Sequence, residues 1–305
     1  MPMIEPSYSF VPRYLSGESA WTGHIPFAYD LVGVLRPSLL VELGTWSGDS
    51  FFAFCQSVAD FSLNTRCYAV DHWRGDDQAG QSPAAQFTRV RAYCAANYPV
   101  FAYLMRTDFT SASSEFNAQT IDLLHIDGTH TYEAVSGDFA GWFPKVRPGG
   151  VILFHDICVR NSENHPHFGV WKFWDDLKPK HLTFEFRHAH GLGILLKGEN
   201  PEVETWLRTA TETPLGAYYA QRGTDLVAIT AGAKLSAIER DALRDRIATL
   251  EKEVEHLKVT RFEAKRECHS MKTSLSWRLT WPLRVLGEKG CSAFLNRFSS
   301  RTRLL

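Results

Sequence analysis

The sequence predicts an α/β fold with a doubly wound, mostly parallel seven-stranded sheet and a C-terminal helical, coiled-coil extension. Three observations carry that prediction. Seven short apolar runs fall between residues 39 and 197. Helix-length patterns lie between most of the earlier runs, which is the signature of βαβ units and a parallel sheet. The last two lie only four residues apart, close enough for a hairpin, so the final strand is expected to be antiparallel.

The expected strands are Leu39–Leu43, Cys67–Asp71, Phe101–Met105, Ile121–Asp127, Gly150–Asp156, Thr183–Arg187 and Leu192–Lys197. The helical patterns between them cover Asp49–Asp60, Pro83–Asn97, Tyr132–Phe143 and Phe168–Leu177. Residues 198–232, with Pro201, Pro214, Gly216 and Gly223, read as an irregular, partly helical connector. A different regime starts near Lys234. Leu243, Ile247, Leu250, Val254 and Leu257 step by 4, 3, 4 and 3, with charged residues filling the gaps. That is coiled-coil spacing over about two heptads. A single amphipathic helix packed on its own domain is the alternative. The expected organisation is an N-terminal extension (1–23), a main domain (24–200), a connector (201–233), a coiled-coil helix (234–270) and a basic amphipathic tail (271–305).

A length of 305 residues allows one large domain with an accessory region, and 44% hydrophobic with 13% aromatic residues suits a packed core. The net charge of −1 gives no bias toward nucleic acid, and no nucleic-acid partner is expected. The charge is uneven, however. From Lys272 onward seven Lys/Arg face one Glu, a net of +6, while the first 271 residues carry 26 Lys/Arg against 33 Asp/Glu, a net of −7. The six cysteines form no CxxC pair and several sit in apolar runs, so free, mostly buried thiols are expected. Met1–Phe10 lacks the pattern of a secretory leader, and no segment reaches eighteen apolar residues. A cytoplasmic protein, peripheral at most on the inner face of a membrane, is the expectation.

Four expected strands end on an acid: Glu42, Asp71, Asp127 and Asp156. Each alone would read as a helix N-cap. On one rim of a parallel sheet, four acids converge on a cleft, because ligands bind beyond the carboxyl ends of the strands. The first acid opens Glu42-x-Gly44-x-x-x-Gly48, a strand, a tight glycine turn and a helix start. It lacks the GxGxxG spacing that brings a helix N-terminus to a pyrophosphate. Asp71 closes the next strand, where an acid can accept two hydrogen bonds from a ribose diol, and Trp73 is placed to pack on an adenine face. A ribose and an adenine without a pyrophosphate point to S-adenosylmethionine (SAM).

Downstream lie Ile121-Asp122-Leu123-Leu124-His125-Ile126-Asp127-Gly128-Thr129-His130-Thr131-Tyr132, then Asp138, then Pro148-Gly149-Gly150-Val151-Ile152-Leu153-Phe154-His155-Asp156. With these motifs, residues 24–197 resemble a Rossmann-like class I SAM-dependent methyltransferase of the sugar and small-molecule O-methyltransferase group, the IDGxH…PGG…HD type. The resemblance implies roles position by position. Gly44, Thr45, Ser47 and Gly48 line the methionine and ribose side of the cofactor, and Glu42 holds the loop or the methionine amino group. Asp71 binds the ribose, and Asp108, in the loop after the third strand, lies near adenine. Asp127 and Asp156 match positions that bind Mg²⁺ in metal-dependent relatives. Here the neighbours of Asp156 are His155 and Ile157 rather than a further acid or Asn, which leaves room for a softer divalent ion.

Methyl transfer to a hydroxyl needs the oxygen held in line and its proton removed. His130 and His155 are the candidate bases, with Asp127 able to serve if no metal binds. His130 also reads as a helix cap, and His155 as a ligand or orienting residue. Asn161–His167, followed by the aromatic helix with Trp171 and Trp174, reads as an acceptor lid or as core packing. His188 and His190 fall in the hairpin turn without the HxxxH or Cys pairing of a zinc site.

The tail carries Ser274-Leu275-Ser276-Trp277-Arg278-Leu279-Thr280-Trp281-Pro282-Leu283-Arg284. It resembles a SxSWRxTxPLR segment that follows coiled coils in bacterial polysaccharide-assembly enzymes. An aromatic, basic piece of this kind suits an anionic membrane surface, a partner enzyme, or the acidic face of its own domain. The expected function is therefore O-methylation of a sugar hydroxyl on a glycan or glycolipid intermediate. A homo-oligomer or a glycosyltransferase partner is expected through the coiled coil. The alternatives are a secondary-metabolite methyltransferase, a non-catalytic SAM-fold scaffold and a hydroxylase-like relative.

Overall fold

The computed structural model of the chain describes residues 6–74, 83–160 and 167–273. The tail motif from Ser274 onward, and the part of the expected lid at 161–166, lie outside the described residues.

Residues 1–234 form one unit and residues 235–305 a second. The first unit opens with a 3-10 turn, Ala20–His24, which runs into α1 (Ile25–Leu35). Then β1 (Leu39–Leu43), α2 (Asp49–Asp60), β2 (Arg66–Asp71), α3 (Pro83–Asn97), β3 (Ala102–Arg106) and α4 (Phe109–Ser113) alternate. They are followed by β4 (Ile121–Ile126), α5 (Tyr132–Trp142), β5 (Val146–His155) and α6 (Val170–Leu177). The hairpin β6 (Leu182–Phe186) and β7 (Leu192–Leu196) completes the sheet, and α7 (Pro201–Glu212) and α8 (Pro214–Thr273) follow.

The sheet runs in the order β3-β2-β1-β4-β5-β7-β6. β1 to β5 are mutually parallel, and β7 is antiparallel to both neighbours. This is the doubly wound, Rossmann-like seven-stranded sheet the sequence predicts. The physical driver is visible along β1, where all five residues are buried. Leu40 packs toward α1 and α2, while Leu39, Val41 and Leu43 pack toward α4, α5 and α6. A strand covered on both faces reads as a continuous apolar run, and its period of two assigns alternate residues to the two cores. Val151 and Leu153 divide from Ile152 and Phe154 in the same way on β5.

Two parts of the main unit differ from expectation. Residues 201–233 are not an irregular connector but helical, and Trp206, Leu207, Tyr219 and Leu226 are buried in the core beside α1. Pro201 and Pro214 start helices rather than break them, since the first helical turn has no use for a proline N–H. The N-terminal stretch is likewise bound into the domain: Ser7 N–H donates to Asp30 at 3.1 Å and Tyr219 Oη donates to the same carboxylate at 2.8 Å. Among the described residues no helix is long and apolar enough to cross a membrane. Cys55, Cys67 and Cys94 are buried and free, as their apolar surroundings imply.

Candidate functional site

The strand order reverses at β1, which has β2 on one side and β4 on the other. Loops leaving two such strands diverge, and the gap between them is where open α/β sheets bind ligands. A cavity of about 480 Å³ lies there. It is lined from the β1 loop by Gly44, Thr45 and Ser47, from the end of β2 by Asp71 and His72, and after β3 by Asp108 and Phe109. Asp127 and His130 after β4, with His155 and Asp156 at the end of β5, form its far wall.

The glycine loop is shaped by its neighbours. Gly44 sits at φ +86°, and a Cβ there would lie 2.0 Å from the carbonyl oxygen of Asp127. The residue is glycine because the β1 and β4 loops meet backbone to backbone. Gly48, at φ +88°, caps α2, and its missing Cβ makes room for the Phe52 ring. It does not line the cavity, so its expected role beside the cofactor is corrected to a helix start.

Asp71 fixes the loop. Its Oδ2 accepts from the backbone N–H of Thr45 at 3.1 Å and of Trp46 at 2.9 Å, and its Oδ1 from Trp73 N–H at 2.6 Å. The carboxylate thus faces the cavity while tying β1 to β2. Trp73 is only 1% exposed: its indole donates to the Trp46 carbonyl at 3.1 Å and its ring packs on Phe87. The expected adenine platform is therefore part of the core, and His72 takes the cavity-facing position beside Asp71. Asp108 lines the cavity as the N-cap of α4, accepting from Ser111 N–H and Oγ at 2.8 Å each, and those bonds hold its carboxyl below the usual range.

Glu42 is also corrected. It is wholly buried and bonded to His125 Nδ1 at 2.9 Å, and it does not line the cavity. Trp21 Nε1–H donates to His125 Nε2 at 3.0 Å. The ring nitrogen that accepts leaves Nδ1 as the donor to Glu42. The acid at the end of β1 therefore fastens the 3-10 turn to β4 through Oε2, while its buried Oε1 has no hydrogen bond among the described residues.

The chemistry concentrates at the ends of β4 and β5. His130 Nε2 lies 2.9 Å from Asp156 Oδ2 and 3.6 Å from Asp127 Oδ1. His155 Nδ1 lies 3.4 Å from Asp127 and 3.5 Å from Asp156. Burial alone would lower both histidines, but the two carboxylates outweigh it, raising His130 to about 10 and His155 to about 9. Burial would likewise raise Asp127 and Asp156, and the histidines reverse that, holding both well below the carboxylate range. At neutral pH the cluster is two fixed cations between two fixed anions. Asp156 adopts φ 64°, a left-handed backbone that an ordinary residue keeps only when its surroundings hold it.

Asp127, His130 and Asp156 each offer one ligand atom, all within 4.8 Å of one another. Two carboxylates with one imidazole suit a divalent ion of the Mn²⁺-to-Zn²⁺ kind better than Mg²⁺, which prefers oxygen donors alone. In the cavity wall, Thr45 Oγ1 and His130 Nδ1 are buried with no hydrogen bond among the described residues, so each can take a partner from a ligand.

Sequence reasoning missed several residues of the wall. Glu18, Ser19 and Ala20 reach it because Tyr14 Oη donates to the Ser47 carbonyl at 2.7 Å and Ser16 N–H donates to Asp49 at 2.8 Å. Phe168 lines it, stacked on His130 at 4.5 Å, whereas Trp174 belongs to the core and Trp171 donates to the Phe168 carbonyl. His190 arrives from the hairpin turn, 3.0 Å from Asp156. Asp138, on α5, also faces the cavity, and burial alone raises its carboxyl to about 6. The expected residues Gly44, Thr45, Ser47, Asp71, Asp108, Asp127, His130, His155 and Asp156 do share one cavity.

The fold and the site together define a ligand-binding α/β domain with an acid–imidazole centre at its switch point. Residues 41–157 match the model of a methyltransferase domain, a span that runs from within β1 past the end of β5 and holds the glycine loop and acid–imidazole centre. Over 206 residues the chain is 42% identical to an uncharacterized protein of Sinorhizobium fredii (strain NBRC 101917 / NGR234), covering 66% of this chain and 22% of that one. The chain thus spans about a fifth of the length of that curated relative. Among solved structures it is similar to the O-methyltransferase TomG from Streptomyces achromogenes in complex with SAM, at 13% identity, 63% of this chain, 93% of that chain and a TM-score of 0.44. It is also similar to an O-methyltransferase from Bacillus cereus in complex with SAH, at 14% identity, 60% and 84% coverage and a TM-score of 0.44.

Proposed function

We propose that the chain is a SAM-dependent O-methyltransferase acting on a hydroxyl of a sugar, in a glycan or glycolipid intermediate. The observation that carries this reading is a single cavity in which a methyltransferase-type glycine loop with Asp71 faces the acid–imidazole centre of β4 and β5. The donor half is built by Gly44, Thr45, Ser47, Asp71 and Asp108. Thr45 Oγ1, buried and unpartnered, supplies a free hydrogen-bonding group there. SAM, when bound, supplies an electrophilic methyl group.

The chain's own residues then position the acceptor. His130 and His155 are held protonated, so neither is a ready base at neutral pH. Asp127, with 18% of its side chain exposed against 6% for Asp156, is the carboxylate an acceptor hydroxyl can reach. The acceptor hydroxyl donates a hydrogen bond to Asp127, which the histidines keep ionised, and that bond orients the oxygen toward the methyl group while the histidinium pair balances the negative charge that develops on it. If a divalent ion binds, Asp127, His130 and Asp156 hold it, and it supplies Lewis-acid activation of the hydroxyl. The carboxylates and imidazoles in the cavity wall can meet the hydroxyls of a sugar, and the tail's likeness to polysaccharide-assembly enzymes supports the glycan class.

The donor half is tested by calorimetric titration with SAM and SAH; absence of binding by the intact chain sinks the reading. The acceptor half is tested by mass spectrometry of glycans from cells with and without the protein. A loss of about 14 Da per methyl group in the deletion supports it, and unchanged glycans redirect the search to other hydroxyl acceptors.

A further inference from the structure

Among the described residues, α8 exposes an apolar stripe. Ile247, Leu250, Val254 and Leu257 are 55%, 42%, 50% and 65% exposed, although they are the residues a helix would ordinarily bury. With Leu243 before them they occupy positions d-a-d-a-d of a heptad frame, β-branched residues at a and leucine at d. That choice favours two parallel strands. Val259 and Phe262 are exposed as well, but they fall at positions f and b, outside the seam.

We propose that this face pairs with a second copy of the chain as a parallel, in-register, two-stranded coiled coil. The occupant is argued from charge. In a parallel pair, each g residue meets the e residue five positions on in the other copy. Those pairs here are Glu239 with Arg244, Arg246 with Glu251, and Glu253 with Lys258, opposite in sign every time. An antiparallel pair loses an apolar layer in either register, and in the first it also sets like charges together. Setting Ile247 against Leu257 and Leu250 against Val254 brings Glu251 to Glu251 and Glu253 to Glu253, and puts Leu243 opposite Arg261. Setting Ile247 against Leu250 and Leu243 against Val254 instead puts Leu257 opposite Arg240. Only the parallel register stacks five apolar layers. Arg240 and Arg261, both at a positions, bound the seam and discourage slippage by a heptad. The pairing is independent of what the cavity binds.

The test is sedimentation equilibrium of the full chain over a concentration range. A reversible dimer is expected, and Leu250→Lys should sediment as a monomer while its main unit keeps the parent's unfolding transition. Glu253→Lys alone and Lys258→Glu alone should each weaken the dimer by roughly tenfold, since each reverses both symmetry-related pairs. The double variant Glu253→Lys/Lys258→Glu should return to near the parent affinity. A parent chain that stays monomeric at every concentration, or forms trimers, overturns the proposal. So does a double variant as weak as the singles, because only the parallel register joins residues 253 and 258.

Discussion

His130 Nε2 and Asp156 Oδ2 lie 2.9 Å apart and join the loop after β4 to the end of β5. Neither group stays charged by itself in so buried a place. Each keeps the other ionised, and Asp127 and His155 complete the set. The pairing predicts strong coupling. In a double-mutant cycle, His130→Ala and Asp156→Asn should show a coupling energy of about 1–3 kcal/mol in urea unfolding. Additive losses would mean that the two side chains do not act as a pair.

Asp138 gives a pH signature. Its folded-state pKa of about 6 stands above the ordinary 3.8, and burial is the cause. A raised carboxyl binds its proton more tightly folded than unfolded, so it favours the folded state at low pH. That advantage is lost as pH rises from about 4 to about 6 and does not return above it. Asp138→Asn should therefore gain roughly 1–2 kcal/mol over the parent at pH 7.5, discounted for partial exposure, and nothing at pH 4. Equal gains at both pH values would rule out titration as the cause.

Gly44→Ala should cost about 3 kcal/mol or more, because its Cβ meets backbone and its φ is left-handed. Ala adds only a Cβ, so the loss reports the contact with the Asp127 carbonyl together with the cost of the left-handed φ. Denaturant titration measures it. A change within about 0.5 kcal/mol, the range of ordinary surface substitutions, would show that the two loops can part freely.

Asp71 and Trp73 make opposite predictions for cofactor binding. Asp71→Ala leaves three backbone N–H groups without their acceptor and should weaken SAH binding at least about tenfold. Trp73→Phe removes one indole bond to Trp46 and should cost about threefold or less if Trp73 is core rather than an adenine platform. Calorimetry of both variants decides it; a loss for Trp73→Phe as large as for Asp71→Ala restores the platform role.

Metal binding is read most directly without turnover. Mn²⁺ should raise the unfolding temperature of the parent, and EDTA should reverse the rise, because a ligand bound only to the folded state stabilises it. Asp127→Asn should abolish the response. A parent insensitive to Mn²⁺, Zn²⁺ and Mg²⁺ alike leaves the acid–imidazole centre as an acceptor-positioning site only.

The sequence by itself determined the order of the elements and the rim on which the acids lie. Apolar runs of period two and helical runs between them can bury themselves in only a few ways, and parallel βαβ connection puts Asp71, Asp127 and Asp156 at one edge. What the tertiary structure decided is which of those residues face outward. Glu42 and Trp73 carry the right chemistry at the right spacing, yet the 3-10 turn and the Asp71 loop take them inward through Trp21–His125 and Trp46. The reverse holds for Glu18, Asp138 and His190. Glu18 and His190 lie far from the glycine-loop and strand-end motifs and Asp138 lies between two of them with no expected role, and the three reach the cavity through an N-terminal tie, a hairpin turn and a helix face. Local pattern fixes secondary structure because its forces act over a turn or a strand. The direction a buried side chain faces depends on contacts made across the whole chain, and those exist only once it has folded.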